Sequence, residues 1–404
     1  MVKVMVECKI INWIVGHGYL NMNVVDLFSG VGGLSLGAAR AGFNLAGAVE
    51  LDKHAIFSHK LNFPKSAHLH NDVSKLTAQD ILSACNVNEI DCVIGGPPCQ
   101  GFSSIGKGNA DDTRNELYVH FFRLVNELSP ICFLAENVPG IMNEKYNPVR
   151  EKAFSLISER YCLLHPIKVN ASNYGAPTTR TRIFFIGFRK DFANELKESD
   201  FFPKNIIEQV FVKDALYGVP RIIKKEWQEE SQGWRRVKMD KDGEFYKKLW
   251  GHVPENVGDA ESLKNLENGL VSGFLGTVHN EEIINRYQKL SFGETDKISR
   301  SQRLDPNGFC PTLRAGTGSD KGSYQAVRPI HPTQARVITP REAARLQGFP
   351  DWFRFHPTKW HSFRQIGNSV SPLVAEAMLL PLHQFCMNVK KELLSTTVQL
   401  CNTQ

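Results

Sequence analysis

Cys99 is the residue of this chain best placed to act as a nucleophile. It sits in the turn Gly95-Gly96-Pro97-Pro98-Cys99-Gln100-Gly101-Phe102-Ser103, directly after the apolar strand Cys92-Val93-Ile94. That is a strand's carboxyl end, the edge where open α/β sheets bind ligands. Pro97 and Pro98 fix their own φ and bias the residue before each toward extended geometry, which stiffens the approach to the thiol. Glycines on both sides leave room for a bulky group against the backbone. A thiol held this way can attack an electrophile.

Two further features fall at neighbouring strand ends. Glu136 follows the apolar run of residues 131–135, where a desolvated cleft beside Cys99 would raise its pKa and favour the hydrogen-donating form. Arg180 and Arg182 alternate just before the strand 183–187, so both side chains are expected on one face.

The elements that must position these groups begin at Val24. Residues 24–28 read as a buried strand running into Ser29-Gly30-Val31-Gly32-Gly33, followed by a helix over 34–41 that stops at Gly42. A second strand, 45–49, ends at Glu50. Strand, glycine turn, helix, strand, acid is the order of a nucleotide-binding βαβ unit, with Glu50 placed to hold a ribose diol. Ser35 stands where the dinucleotide fingerprint wants glycine, which weakens a nicotinamide reading. Asp72, in Asn71-Asp72-Val73, offers a carboxylate at the next strand end, as a helix cap or as a ligand contact. Residues 161–169 and 183–187 read as a final strand pair.

From about residue 190 to 332 regular patterning fades. Lys224, Lys225, Arg235, Arg236, Lys238, Lys247 and Lys248 are interleaved with Trp227, Trp234, Tyr246 and Trp250. This mixture suits a nucleic-acid surface, or equally a solvated face over aromatic core residues. Residues 312–319 form a polar, Gly-rich loop. Helical patterning returns at Thr339, which can cap, with Pro340 at the first helical position. Gln365-Ile366-Gly367-Asn368-Ser369-Val370 leads into an apolar helix from 372 to about 389.

Composition bounds the rest. At 404 residues, with 42% apolar and 22% charged side chains, the chain can bury a full core, which makes extensive disorder a poor reading. A formal charge of +6 suits a polyanionic partner without requiring one. Nine cysteines form no CxxC pair, so the composition offers no metal-ligand spacing and suits a reducing compartment. No run approaches the length expected of a membrane span. Residues 1–23 read as an extension outside the recognisable fold, either an added helix or a segment upstream of a start at Met22.

Taken in order, these words resemble the C5-cytosine DNA methyltransferase family. Residues 26–33 look like its cofactor loop, Pro97-Pro98-Cys99-Gln100 its nucleophile turn, and Glu136-Asn137-Val138 its acid. Arg180-Thr181-Arg182 matches its arginine pair, residues 341–348 its late structural helix, and residues 365–370 its closing motif. The resemblance covers about 24–187 and 336–380. It implies an α/β chain: a Rossmann-like S-adenosylmethionine-dependent methyltransferase domain with a smaller, irregular DNA target-recognition domain inserted before the C-terminal helix. The implied boundaries are 24–189 for the first catalytic part, 190–335 for target recognition, 336–362 for a hinge with the late motif, and 363–404 for the part that completes the catalytic domain.

The resemblance also implies the chemistry. Cys99 would add to C6 of a flipped-out cytosine while Glu136 hydrogen-bonds or protonates N3. C5 would then take the sulfonium methyl of S-adenosylmethionine, and loss of the C5 proton would release Cys99. Arg182 would hold O2 and orient Glu136; Arg180 would support the thiolate or a phosphate. The cofactor would be held by Phe28, Gly30, Gly32 and Leu34, with Ser29 and Gly33 beside them, by Glu50 and Leu51 at the ribose, and by Asp72 and Val73 at the adenine. Pro98, Leu117, Asn368 and Ser369 would complete the pocket. Gln100, Ser103, Ser104, Lys107 and Arg314 would touch DNA, with residues 103–108 as a lid.

Two departures from the family pattern stand out. Thr178 replaces the usual Gln before the arginine pair, and Ser369 and Ser371 replace small or proline residues of the closing motif. The expected protein is a cytoplasmic, monomeric modification enzyme of a restriction-modification system. It would act on double-stranded DNA without membrane or metal, with a cognate endonuclease encoded nearby that it need not bind. The alternatives are a tRNA cytosine-5 methyltransferase of the same fold, a non-catalytic DNA-binding homologue and, more distantly, a metabolic oxidoreductase.

Overall fold

The computed structural model describes residues 21–98, 115–192, 195–228, 232–315 and 327–402. Cys99, Gln100, Ser103, Ser104 and Lys107 lie outside them, as do residues 316–319 of the Gly-rich loop.

Alternating apolar residues build an eight-stranded sheet buried on both faces. Its strands are β1 (Asn23–Leu27), β2 (Asn44–Val49), β3 (Ala67–Leu69), β4 (Cys92–Gly95), β5 (Cys132–Asn137), β6 (Tyr161–Leu163), β7 (Ile167–Asn170) and β8 (Thr181–Arg189). The order is β3-β2-β1-β4-β5-β8-β6, with β7 also paired to β8. The first five strands run parallel and β8 runs antiparallel to β5. Strand order reverses between β1 and β4, so their carboxyl ends open a crevice at the switch point.

Period-two alternation sends Val24, Ile94, Leu134 and Ile186 to one core. Val25, Val93, Phe133 and Phe185 go to the other. The second core is covered by α3 (Ala78–Cys85), α4 (Asn115–Leu128) and α5 (Asn147–Ser155). The first is covered by α1 (Gly33–Ala41), which Gly42 ends in the left-handed conformation as the sequence predicts, and by the C-terminal helix. Helix α2 (Lys53–Asn62) begins at the N-cap Asp52, whose side chain accepts the His54 and Ala55 N–H groups.

The segment after β8 holds α6 (Val212–Ala215), the antiparallel pair of β9 (Arg235–Arg236) and β10 (Leu270–Val271), with α7 (Glu244–Trp250) and α8 (Ala260–Glu267) between them, and α9 (Glu281–Gln288). It is followed by α10 (Pro340–Leu346), α11 (Lys359–Asn368) and α12 (Pro372–Asn402). Thr339 caps α10 in a reciprocal box with Glu342, and Pro340 opens the helix.

Several expectations shift. Residues 161–169 are not one strand: His165 and Pro166 interrupt them, giving β6 and β7. Strand β5 runs on through Glu136 and Asn137, which pair with Phe184 and Ile183. The C-terminal helix extends well past residue 389. By length and composition alone Lys359–Thr396 could cross a membrane, contrary to the expectation that no run comes close, but 61% of its apolar window is buried inside the protein. Small residues explain that burial: a Cβ on Gly37 would lie 2.3 Å from Ala375 Cβ, so α1 and α12 meet backbone to backbone.

The interleaved basic and aromatic residues turn out to be engaged largely with their own chain. Arg235 stacks over Trp227 at 3.8 Å and Arg354 over Trp234 at 5.2 Å. Lys238, Lys247 and Lys248 pair with Asp240, Glu244 and Glu376.

Candidate active site

The glycine loop between β1 and α1 is tied down by backbone bonds. Ser29 N–H donates to the Val49 carbonyl at 3.0 Å, and Gly30 N–H to Glu50 Oε2 at 2.8 Å. Glu50 Oε1 accepts Asp52 N–H at 2.7 Å. Each Glu50 oxygen therefore keeps a lone pair for a ligand hydroxyl. Burial raises the Glu50 carboxyl above its ordinary range. Phe28 has φ 64, a costly conformation for a bulky residue, and strain of this kind concentrates at ligand sites. Gly32, at φ 105, could carry no side chain: a Cβ would stand 2.4 Å from Phe63 Cε2 and 3.1 Å from His59 Cδ2.

A cavity of about 640 Å³ opens where these strand ends converge. Phe28, Ser29, Gly30, Gly33, Leu34, Glu50, Leu51, Asp72, Val73, Pro98, Leu117, Asn368 and Ser369 all line it, as do Glu136, Arg180 and Arg182. Gly32 does not; it packs against α2 instead. Asp72 serves as both cap and lining residue: it accepts Ser74 N–H at 2.9 Å, and that bond holds its carboxyl below the usual range. Arg314 is exposed and does not line the cavity.

Glu136 and Arg182 form an ion pair, Nε to Oε1 2.6 Å, in a nearly buried setting. The sequence reading set burial against Glu136 and had Arg182 orient it; in the structure the Arg182 guanidinium lies directly against that side chain. Asn137 Nδ2 donates to the Pro97 carbonyl at 3.3 Å, so β5 also braces the proline turn. Arg180 is 3% exposed and reaches two carbonyls, Leu313 at 3.1 Å and Asn368 at 3.3 Å. It clamps the segment before residue 316 and the closing motif onto the start of β8. Thr178 is fully buried and bridges to Cys310.

The closing motif reaches the first domain through missing side chains. A Cβ on Gly33 would lie 2.4 Å from the Val370 carbonyl oxygen, and one on Gly367 would lie 2.6 Å from Ala315 N. Ser369 Oγ donates back to the Gln365 carbonyl, and the Ser369 carbonyl accepts Gln347 Nε2.

Sequence reading missed His54, His361 and Arg364, which also line the cavity. Spacing could have found His361, which precedes Gln365 and Asn368 by one and two turns of α11. The ring nitrogens of His54, His356 and His361 lie within 4.8 Å of one another, a spacing a cation could use. Their hydrogen bonds argue otherwise. Thr358 N–H donates to His356 Nδ1 at 3.0 Å, which leaves the proton on Nε2, 3.0 Å from His54 Nδ1. His356 therefore has no lone pair to offer, and burial pushes it down to about 4.

A family model, C-5 cytosine-specific DNA methylase, matches residues 22–383. The chain belongs to that family. With membership comes the family's activity, methylation of cytosine at C5 in DNA. The Type II methyltransferase M.XorII of Xanthomonas oryzae pv. oryzae is 40% identical over 360 residues, covering 88% of this chain and 82% of its own. M.DdeI of Desulfomicrobium norvegicum is 30% identical, covering 91% and 90%. Among solved structures, a chain described as a candidate DNA modification methyltransferase from an E. coli prophage superposes with TM-score 0.83. It is 60% identical and covers 90% of this chain and 99% of its own. The Dnmt2 methyltransferase of S. pombe, at 17% identity and TM-score 0.58, shares the fold.

Proposed function

We propose that this DNA methylase binds S-adenosylmethionine and a cytosine turned out of duplex DNA in the one cavity, and that Cys99 attacks C6 of that base. The opening of the glycine loop, the Pro97-Pro98 turn and the Glu136–Arg182 pair onto the same space carries the reading. The residues fit the cofactor: an aromatic ring at Phe28, two carboxylates at Glu50 and Asp72, and a volume within the range of ligand pockets. Glu50 would hold the ribose diol and Asp72 the adenine amino group. Phe28 and Leu51 would flank the ring, and Asn368 and Ser369 would close the far side. When bound, S-adenosylmethionine supplies an electrophilic methyl group on a sulfonium.

The chain's own residues prepare the base. A thiolate at Cys99 adding to C6 makes C5 nucleophilic. Glu136, facing N3, and Arg182, facing O2, stabilise the charge that this addition places on the pyrimidine. Once C5 is substituted, departure of its proton expels the thiolate. A stacked base hides C6, so the cytosine must leave the duplex first. Arg180 acts through the clamp described above. Residues 190–335 would read the DNA sequence, with residues 24–189 and 363–404 as the catalytic domain and 336–362 between them. The Type II relatives support a modification role in the bacterial cytoplasm.

Incubation with methyl-labelled S-adenosylmethionine and either a mixed-sequence duplex pool or tRNA tests this. The reading expects label at C5 of one cytosine within one short duplex sequence. Label confined to tRNA, or found on adenine, would overturn it.

A further inference from the structure

Beneath the glycine loop runs a continuous hydrogen-bonded chain that the methylation chemistry does not use. Ser35 Oγ donates to Asp26 Oδ2 at 2.5 Å and lies 2.9 Å from His59 Nε2. His59 Nδ1 lies 2.9 Å from His68 Nε2. Asp26, Ser35 and His59 are 0% exposed, whereas His68, on β3, is only half-buried. The path therefore begins near solvent and ends at a carboxyl two residues before Phe28. His59 also forms part of the floor of the loop. Its ring packs against Phe63 at 4.4 Å, and the two rings fill the space where a Gly32 side chain would be.

We propose that Ser35 and His59 are positioning residues for the cofactor loop, and that with His68 they form a proton wire to Asp26; this rests on reading the loop as the cofactor's cradle. With Asp26 ionised, Ser35 O–H donates to Asp26, His59 Nε2–H to Ser35, and His68 Nε2–H to His59 Nδ1. A proton arriving from solvent at His68 Nδ1 passes the Nε2 proton to His59 Nδ1. The His59 Nε2 proton moves to Ser35 Oγ, and the Ser35 proton to Asp26. Every hydrogen bond reverses, both imidazoles and the hydroxyl end neutral, and the net change is one proton on Asp26. Histidine suits such a relay because its two nitrogens exchange donor and acceptor roles.

The surroundings give the wire a consequence. Desolvation, with the nearby Glu50 charge adding to it against the Ser35 hydrogen bond, raises Asp26 to about 7. The β-strand partners of Asp26 are Ala48 and Ile94, which carry no charge. Burial, and after it the nearby Lys60 charge, lower His68 to about 4 against a backbone hydrogen bond at Ser66, so His68 passes protons on without holding one. An ionised Asp26 repels the Glu50 carboxylate that holds the Gly30 N–H. The loop is thus best held when Asp26 is protonated, and cofactor affinity should weaken as pH rises through neutrality.

The test uses the full-length protein, with the infrared carbonyl band of the Asp26 carboxylic acid assigned by Asp26→Asn. After a pH jump the wild-type band should titrate promptly. Ser35→Ala should titrate at least tenfold more slowly, Ser35→Thr should recover the rate, and His68→Phe, at a half-exposed site tolerant of change, should slow it. Calorimetry should show S-adenosylmethionine affinity falling several-fold from about pH 6 to about pH 8.5 in wild type but not in Asp26→Asn. A band that titrates equally fast in Ser35→Ala and His68→Phe overturns the wire. A normal wire in a protein that binds no S-adenosylmethionine at any pH overturns the cofactor reading instead.

Discussion

Arg182 Nε and Glu136 Oε1 stand 2.6 Å apart because of strand register. Strand β8 pairs Glu136 with Phe184, so Arg182, two residues away, is Glu136's diagonal neighbour on the same face of the sheet. Gly96, just past the end of β4, makes room for the Glu136 side chain: a Cβ there would lie 2.9 Å from Glu136 Oε2. Three strands thus fix one pair of charges at the mouth of the crevice.

Removing half of that pair should abolish chemistry and spare cofactor binding. Arg182→Ala and Glu136→Ala are each expected to lower single-turnover methylation by about 10²–10⁴-fold, the usual scale for a positioned acid–base group. S-adenosylmethionine affinity, measured by calorimetry, should stay close to wild type. A parallel loss of both would mean that the pair holds the pocket together and does not act on the base.

The α1–α12 contact is tested by Gly37→Ala. The added methyl would meet Ala375 Cβ at 2.3 Å and its backbone carbon at 2.6 Å, so the helices must part. Overpacking of this kind costs about 1–3 kcal/mol. Thermal unfolding should show a melting temperature several degrees lower, with methylation at low temperature partly retained.

Arg345 and Asp351 form a completely buried ion pair at 2.5 Å. Arg345 also donates to the Tyr217 carbonyl at 2.6 Å, joining α10 to the segment after α6. Arg345→Ala would strand a buried carboxylate and should cost roughly 3–5 kcal/mol in chemical denaturation. Arg345→Ala combined with Asp351→Ala should recover much of that loss.

Asp26 should also leave a mark on stability. Its folded-state pKa of about 7 lies above the ordinary value of 3.8. Protonation therefore favours folding: the contribution is complete below the unfolded value and is lost as pH rises through about 7. The wild-type melting temperature should fall relative to Asp26→Asn from about pH 4 to about pH 7 and level off above that. An unchanged difference across that window would place the titration elsewhere.

Much of this site is legible in the amino-acid sequence itself. Strand-end motifs announce themselves because a glycine turn, a stiffened thiol and an acid each need distinctive local residues. All the expected cofactor residues except Gly32 meet at one cavity. What stayed hidden depends on neighbours distant in sequence. Nothing around Arg180 reveals that it would reach the carbonyls of Leu313 and Asn368. Ser35 registered only as a departure from a glycine fingerprint; its bond to Asp26 and His59 requires α2 to fold back beneath the loop. The basic and aromatic residues after residue 220 suited a nucleic-acid surface and a solvated face equally well, and many of them pair within the chain. Composition cannot tell a charge facing DNA from one facing Glu376.

The covalent bond proposed between Cys99 and a cytosine in DNA can be trapped directly. A mixed-sequence duplex pool with 5-fluorocytosine in place of cytosine, incubated with the protein and S-adenosylmethionine, should trap that bond, because fluorine cannot leave as a proton does. Denaturing electrophoresis and peptide mass mapping should find the pyrimidine attached to Cys99 in wild type, and no adduct in Cys99→Ser. An adduct that persists in Cys99→Ser, or maps to another residue, would rule out Cys99 as the nucleophile.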